Sequence, residues 1–172
     1  MIDTNLCYSK FNLQSDVISE YFYQNCHTMQ YQPLLGWRAS PIPDEVFMQE
    51  PLLKMINDEF EILRAGIIRM EPNRCYKWHV DMFRGVTINM LLTPERKSHC
   101  YFGNCKDEYQ EQFDFIELQY TKDDFYLFNT EVVHTVINYD LPRYLFTTEF
   151  VKHKNELKYN DIRQWSIDKG LI

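Results

Sequence analysis

Between residues 60 and 150 the chain is a succession of short apolar runs, each interrupted by turn-forming residues before it is long enough to make a stable helix. Residues 62–70 end at Glu71-Pro72-Asn73, residues 86–92 stop before Pro94, and residues 113–120 alternate apolar with polar side chains. The runs at 100–102, 125–128, 134–137 and 143–150 complete a series of about seven strands. Strands this short and this closely spaced predict a mainly β fold with flanking helices, an antiparallel sandwich or jelly-roll barrel.

The flanks read differently. Residues 1–58 are expected to be mostly helical and irregular, with one helix starting near Ser15 and running through Phe22. A second helix, capped by Asp44, is predicted to run through Phe47, Leu52, Leu53 and Ile56. A C-terminal helix begins near Asn160 and stops at Gly170. A single domain over 1–172 is expected, with the jelly-roll core at 59–151 and the last helix within 152–172. At this length a chain buries about two-thirds of its unfolded surface without disulfides, and 45% hydrophobic residues suffice for such a core.

Charge and targeting signals narrow the function classes. A net charge of −7, with no basic run of five or more, disfavours phosphate-backbone binding, so nucleic acid is not an expected partner. No segment approaches the roughly 18 apolar residues of a membrane span. The first residues lack a basic, apolar signal segment, and five irregularly spaced cysteines suggest no disulfide framework; both predict a cytoplasmic protein.

Within the strand series, His79 and Asp81 form an H-x-D pair, and His134 follows 53 residues after Asp81. Residues two apart in a strand share a face, so His79 and Asp81 can approach one ion from a strand's end. Two imidazoles and a carboxylate are the facial donor set of non-haem Fe(II), with open positions left over. Catalytic zinc, or manganese in a cupin-like protein, uses similar donors. The pair alone is also what two partly buried residues at a turn would look like. Arg143 adds a fourth member, at the start of a strand whose alternation puts Leu145 and Thr147 on its face and Tyr144, Phe146, Thr148 and Phe150 on the other. A guanidinium pointing into a barrel needs an anion, either a carboxylate ligand or an internal partner such as Glu149.

Tyr76-Lys77-Trp78-His79-Val80-Asp81, followed by Arg84 and Thr87, resembles the Y-x-x-H-x-D and R-x-x-T stretch of the prolyl hydroxylase branch of the Fe(II)- and 2-oxoglutarate-dependent dioxygenases. His134-Thr135-Val136-Ile137-Asn138 with Arg143 is similar to the H-x-V-x-N and R stretch of the aspartyl/asparaginyl β-hydroxylase-like branch. The prolyl hydroxylase segment G-G-x-T-x-F has no counterpart between Leu92 and Phe113. Glu149 stands where the nucleic-acid-demethylating branch carries a second arginine.

The resemblance implies a double-stranded β-helix holding Fe(II) through His79, Asp81 and His134. It also implies 2-oxoglutarate as cosubstrate, with its C5 carboxylate on Arg143 and further contacts from Thr147 and Tyr76. O2 would be consumed, succinate and CO2 released, and an amino acid or peptidyl side chain hydroxylated. Desaturation on the same centre is the rival outcome. Halogenation would need the Asp81 position vacated for halide. A non-catalytic cupin-like module binding a metal or a small carboxylate is the alternative from another class.

Other residues carry less information. His99, Cys100, Cys105 and Cys75 are a candidate zinc set with irregular spacing. Trp78 and Phe83 either exclude water from the ligands or simply pack. Arg84 faces substrate or forms an ion pair, and Asn138 orients backbone or makes a turn.

Overall fold

The computed structural model describes residues 2–34, 37–105 and 113–172, and within them two antiparallel sheets face each other. The larger sheet contains β1 (Tyr8–Lys10), β2 (Gln32–Leu34), β3 (Trp37–Ile42), β4 (Ile62–Met70), β6 (Val86–Leu91), β9 (Phe125–Asn129) and β11 (Arg143–Phe150), in the order β1-β9-β6-β11-β4-β3-β2. The smaller contains β5 (Arg74–His79), β7 (Ser98–Cys105), β8 (Phe113–Leu118) and β10 (His134–Asn138), in the order β5-β10-β7-β8. From β4 to β11 the chain passes back and forth between the sheets, apart from the β7–β8 hairpin, which is the jelly-roll arrangement expected from the strand series.

Alternation along β11 divides the molecule. Phe146 and Phe150 point outward with Ile67 of β4, Ile88 of β6 and Leu127 of β9 into a core closed by the helices. Those helices are α1 (Val17–Asn25), α2 (Asp44–Phe47), α3 (Pro51–Phe60) and α4 (Tyr159–Asp168), which contribute Ile18, Phe47, Leu52, Leu53, Ile56 and Ile162. On the other face of β11, Arg143, Leu145, Thr147 and Glu149 look into the space between the sheets. A second core of Met70, Cys100, Phe102, Phe128 and Val136 fills part of that space.

The first 58 residues depart from the mostly helical expectation. β1, β2 and β3 all lie there and extend the larger sheet beyond the 59–151 segment. Three prolines, at 33, 41 and 43, hide the strands in the sequence. β2 is an edge strand, which tolerates Pro33, and Pro41 lies beyond the residues of β3 that pair with β2, so its missing N–H costs no ladder bond on that side. The second predicted helix is two helices. Pro51 biases the residue before it away from helical geometry, and Glu50 accordingly sits at φ −75°, ψ 115° between α2 and α3. The cap positions also move: Asp16 precedes α1, while the Ser15 hydroxyl accepts the Val17 N–H at 3.4 Å, and Pro43, not Asp44, precedes α2. α4 stops as expected, with Gly170 at φ 68° letting Leu171 N–H return to the Ser166 carbonyl.

Gly66 of β4 pairs with Pro41 of β3 and lines the cavity. A Cβ there would lie 2.9 Å from the Ser40 carbonyl oxygen, a backbone atom that cannot swing aside. Gly66→Ala is expected to destabilise the fold by about 1–3 kcal/mol, read as a lower denaturant midpoint at unchanged slope. No helix among the described residues is long and apolar enough to cross a membrane.

Candidate functional site

His79 closes β5, Asp81 lies two residues beyond it, and His134 opens β10, the neighbour of β5. His134 and His79 are direct cross-strand partners, with ring centroids 4.2 Å apart. His79 Nε2 is 3.5 Å and His134 Nε2 is 3.8 Å from the same Asp81 oxygen, Oδ1. One ligand atom from each of the three residues thus falls within 4.8 Å of the others, although the chain separates them by as many as 55 positions.

Strict strand alternation does not produce this geometry. Tyr76 and His79 are three residues apart and would face opposite ways, yet both line the cavity. The ladder shifts between the pairs His134–His79 and Val136–Tyr76, so Lys77 and Trp78 together oppose Thr135. This bulge returns His79 to the inner face and frees the Lys77 carbonyl, which accepts His79 Nδ1–H at 2.8 Å. The Val132 carbonyl does the same for His134 Nδ1–H, also at 2.8 Å. A carbonyl only accepts, so each Nδ1 carries the hydrogen and each Nε2 is left to face Asp81 Oδ1. Fixing both tautomers through the far nitrogen is how metal-binding imidazoles are oriented.

Protonation states follow from the surroundings. Burial, with His79 beside it, pushes the His134 imidazole down to about 4, so it is neutral at neutral pH. Burial alone would raise Asp81, but its interactions with His79, Arg84 and His134 outweigh it and hold the carboxyl at about 2. Arg84 reaches only the outer oxygen: its Nε and Nη2 lie 2.9 Å and 2.6 Å from Asp81 Oδ2. Nη1 of the same guanidinium donates to Thr147 Oγ1 at 3.1 Å and to the Thr148 carbonyl at 3.3 Å. Arg84 therefore forms the ion pair, and it leaves Oδ1 facing the histidines.

Arg143 occupies the same cavity, a space of about 710 Å³ that also contains the three clustered residues. It is 2% exposed. Nε donates to Ser98 Oγ at 3.0 Å, while Nη1 meets no hydrogen-bond acceptor among the described residues. Glu149, the internal partner considered from the sequence, is instead paired with Arg64 at 2.6 Å. The rings of Trp37 and Tyr120 lie 5.9 Å and 5.7 Å from the guanidinium carbon, an arrangement that attracts a cation but satisfies none of its N–H groups. A buried guanidinium in a cavity wall, with a donor left unpaired among the described residues, can take an anion.

The remaining sequence candidates separate. Thr147 shares the inner face with Arg143, but its hydroxyl lies against Arg84 and, at 2.9 Å, Thr87 Oγ1, on the Asp81 side of the cavity. Tyr76 stacks its ring edge-on to His79, centroids 4.4 Å apart, and touches Trp37. Asn138 ties turns together, its amide donating to the carbonyls of Met70, Glu71 and Leu141. Trp78 points away from the cavity and stacks on Phe115, lying where a Cβ on Gly103 would fall. Phe83, 59% exposed, stands at the cavity mouth. His99 pairs with Glu117, and His99, Cys75 and Cys100 form no metal-ligating group among the described residues; the Cys105 side chain lies outside them. Ser98, Trp37 and Tyr120 around Arg143 were not legible, since a serine and two aromatics in separate segments carry no spacing signal.

No family model matches the sequence, and no curated protein matches it. Solved structures do match the fold. A prolyl-4-hydroxylase of Pseudomonas putida superposes with a TM-score of 0.61 at 14% identity, covering 83% of this chain and 90% of that one. A Trichoplax adhaerens prolyl hydroxylase, solved with a hypoxia inducible factor oxygen degradation domain peptide, gives 0.58 at 13% identity over 84% and 82%. HygX of Streptomyces hygroscopicus, solved with nickel, 2-oxoglutarate and hygromycin B, gives 0.56 at 14% identity over 82% and 80%. The chain thus has the jelly-roll fold of the 2-oxoglutarate and Fe(II) oxygenases.

Proposed function

We propose that this protein is an Fe(II)- and 2-oxoglutarate-dependent dioxygenase that hydroxylates an amino acid or a peptidyl side chain. The observation that carries the reading is a single cavity holding both the His79–Asp81–His134 cluster and a buried Arg143 with an unused donor. Two nitrogen donors and one carboxylate oxygen, with the tautomers fixed from behind, fit Fe(II) with positions left open. Held there, Fe(II) would supply the oxidising chemistry, in which 2-oxoglutarate and O2 would be converted to succinate and CO2 with one oxygen atom inserted into a substrate C–H bond.

The chain's own residues position these reactants. His79, Asp81 and His134 would hold the metal, and Arg143 would bind the C5 carboxylate of 2-oxoglutarate. Tyr76, braced between Trp37 and His79, lines the cosubstrate cavity. Thr147, rather than donating directly, supports Asp81 through Arg84.

The direct test is Fe(II)- and 2-oxoglutarate-dependent release of succinate by the purified protein, coupled to a 16 Da gain on a candidate amino acid or peptide. Metal and 2-oxoglutarate binding without any turnover would favour the binding-module alternative. Arg84→Met is expected to lower iron affinity by about 10- to 100-fold while the circular dichroism spectrum stays unchanged, because Asp81 loses the partner that orients it.

A further inference from the structure

The bulge in β5 decides which of two neighbouring side chains enters the cavity. Were the ladder continued without interruption from the Val136–Tyr76 pair, Thr135 would oppose Lys77 and His134 would oppose Trp78. Alternation would then turn Trp78 inward beside His134 and His79 outward, since a one-residue slip exchanges the two faces of a strand. The extra residue reverses that outcome while interrupting regular pairing.

Two residues outside the metal-ligating cluster favour the bulged form. Thr135 lies between the cavity-lining His134 and Val136, so alternation puts it on the outer face of the sheet. It is 3% exposed, and its hydroxyl donates to the Tyr76 carbonyl at 2.5 Å, next to the two residues that share its place in the ladder. A buried hydroxyl or carbonyl is costly to leave unpaired, so this bond ties the chain where the extra residue begins. Gly103 of β7 is the second. The benzene ring of Trp78 lies 2.7 Å from where a Cβ on Gly103 would stand, and the indole stacks on Phe115, the residue paired with Gly103 across β7 and β8. A glycine inside a strand otherwise weakens it; here it leaves the space that receives Trp78 on the outer face.

We infer that Thr135 and Gly103 are positioning residues for the metal site, holding β5 in the bulged register that brings His79, and not Trp78, alongside His134. The inference rests on the reading of His79, Asp81 and His134 as metal ligands.

Heteronuclear NMR of the histidine side chains in the full chain tests it, with Zn(II) as a diamagnetic, redox-silent probe. In the wild type, Zn(II) is expected to shift the Nε2 signals of both His79 and His134. Thr135→Val keeps the shape and removes the hydroxyl. It is expected to weaken Zn(II) binding by about tenfold or more, and at saturation to lose the His79 shift while keeping that of His134. Thr135→Ser restores the donor and is expected to recover both shifts. Gly103→Val fills the seat of Trp78 from another strand and is expected to reproduce the Thr135→Val result. A Thr135→Val or Gly103→Val protein in which both rings still shift, or neither does, would overturn the inference, as would a Thr135→Ser protein as impaired as Thr135→Val. Circular dichroism reports the fold: if Thr135→Val does not fold, Gly103→Val decides, and failure of both to fold overturns the inference. Absence of any histidine shift in the wild type overturns the metal-site reading itself, before a variant is made.

Discussion

Asp81→Ala is expected to abolish stoichiometric Fe(II) binding and all succinate release while leaving the protein folded. Three donors are the minimum the site offers, and Asp81 Oδ1 is the atom on which both histidine Nε2 atoms converge. Its removal leaves two imidazoles with no anionic ligand, which weakens the hold on a hard divalent ion. The fold is expected to survive because Asp81 lies outside both sheets and its backbone N–H bonds to the Thr130 carbonyl independently of the side chain. Metal analysis after gel filtration, with circular dichroism as the control, reads both halves of the expectation. An Asp81→Ala protein that retained iron and turnover would remove the cluster from the mechanism.

Arg143→Ala is expected to weaken 2-oxoglutarate binding by about 2–5 kcal/mol, the cost of removing one partner of a desolvated ion pair. The effect should be confined to the cosubstrate: iron uptake by His79, Asp81 and His134 should persist, since among the described residues no hydrogen bond or ion pair joins Arg143 to them. Arg143→Lys is expected to recover only part of the loss, because an ammonium cannot offer the two parallel N–H donors that a carboxylate accepts from a guanidinium. Calorimetric titration of 2-oxoglutarate into the iron-loaded protein gives the number. Unchanged affinity in Arg143→Ala would mean that the orphaned Nη1 serves something other than this carboxylate.

Both expectations use residues singled out from the sequence, and the reason lies in what a strand encodes. Period-two alternation in 143–150 sorts side chains between two faces, so the inward direction of Arg143 and the outward packing of Phe146 and Phe150 were readable without coordinates. The histidines and Asp81 were legible through residue type and order.

Other parts of the site were invisible because they depend on contacts between remote segments. Ser98 and Tyr120 reach Arg143 from β7 and from the segment after β8, and Trp37 does so from β3, whose neighbouring prolines argue against a strand until the sheet edge is known. Arg84 could be assigned to Asp81 only once the loop geometry was seen, since a residue three positions along a loop has no fixed direction.

The sequence by itself determined which side chains face inward along the regular strands and which atoms are chemically able to take a divalent ion and a carboxylate, because these follow from residue type and a local backbone period. Tertiary structure alone decided that the two histidines are cross-strand partners, that an extra residue in β5 turns His79 toward Asp81, and that Glu149 is spent on Arg64 rather than Arg143. Register and pairing are set by the summed packing of distant segments, and no local pattern records that sum.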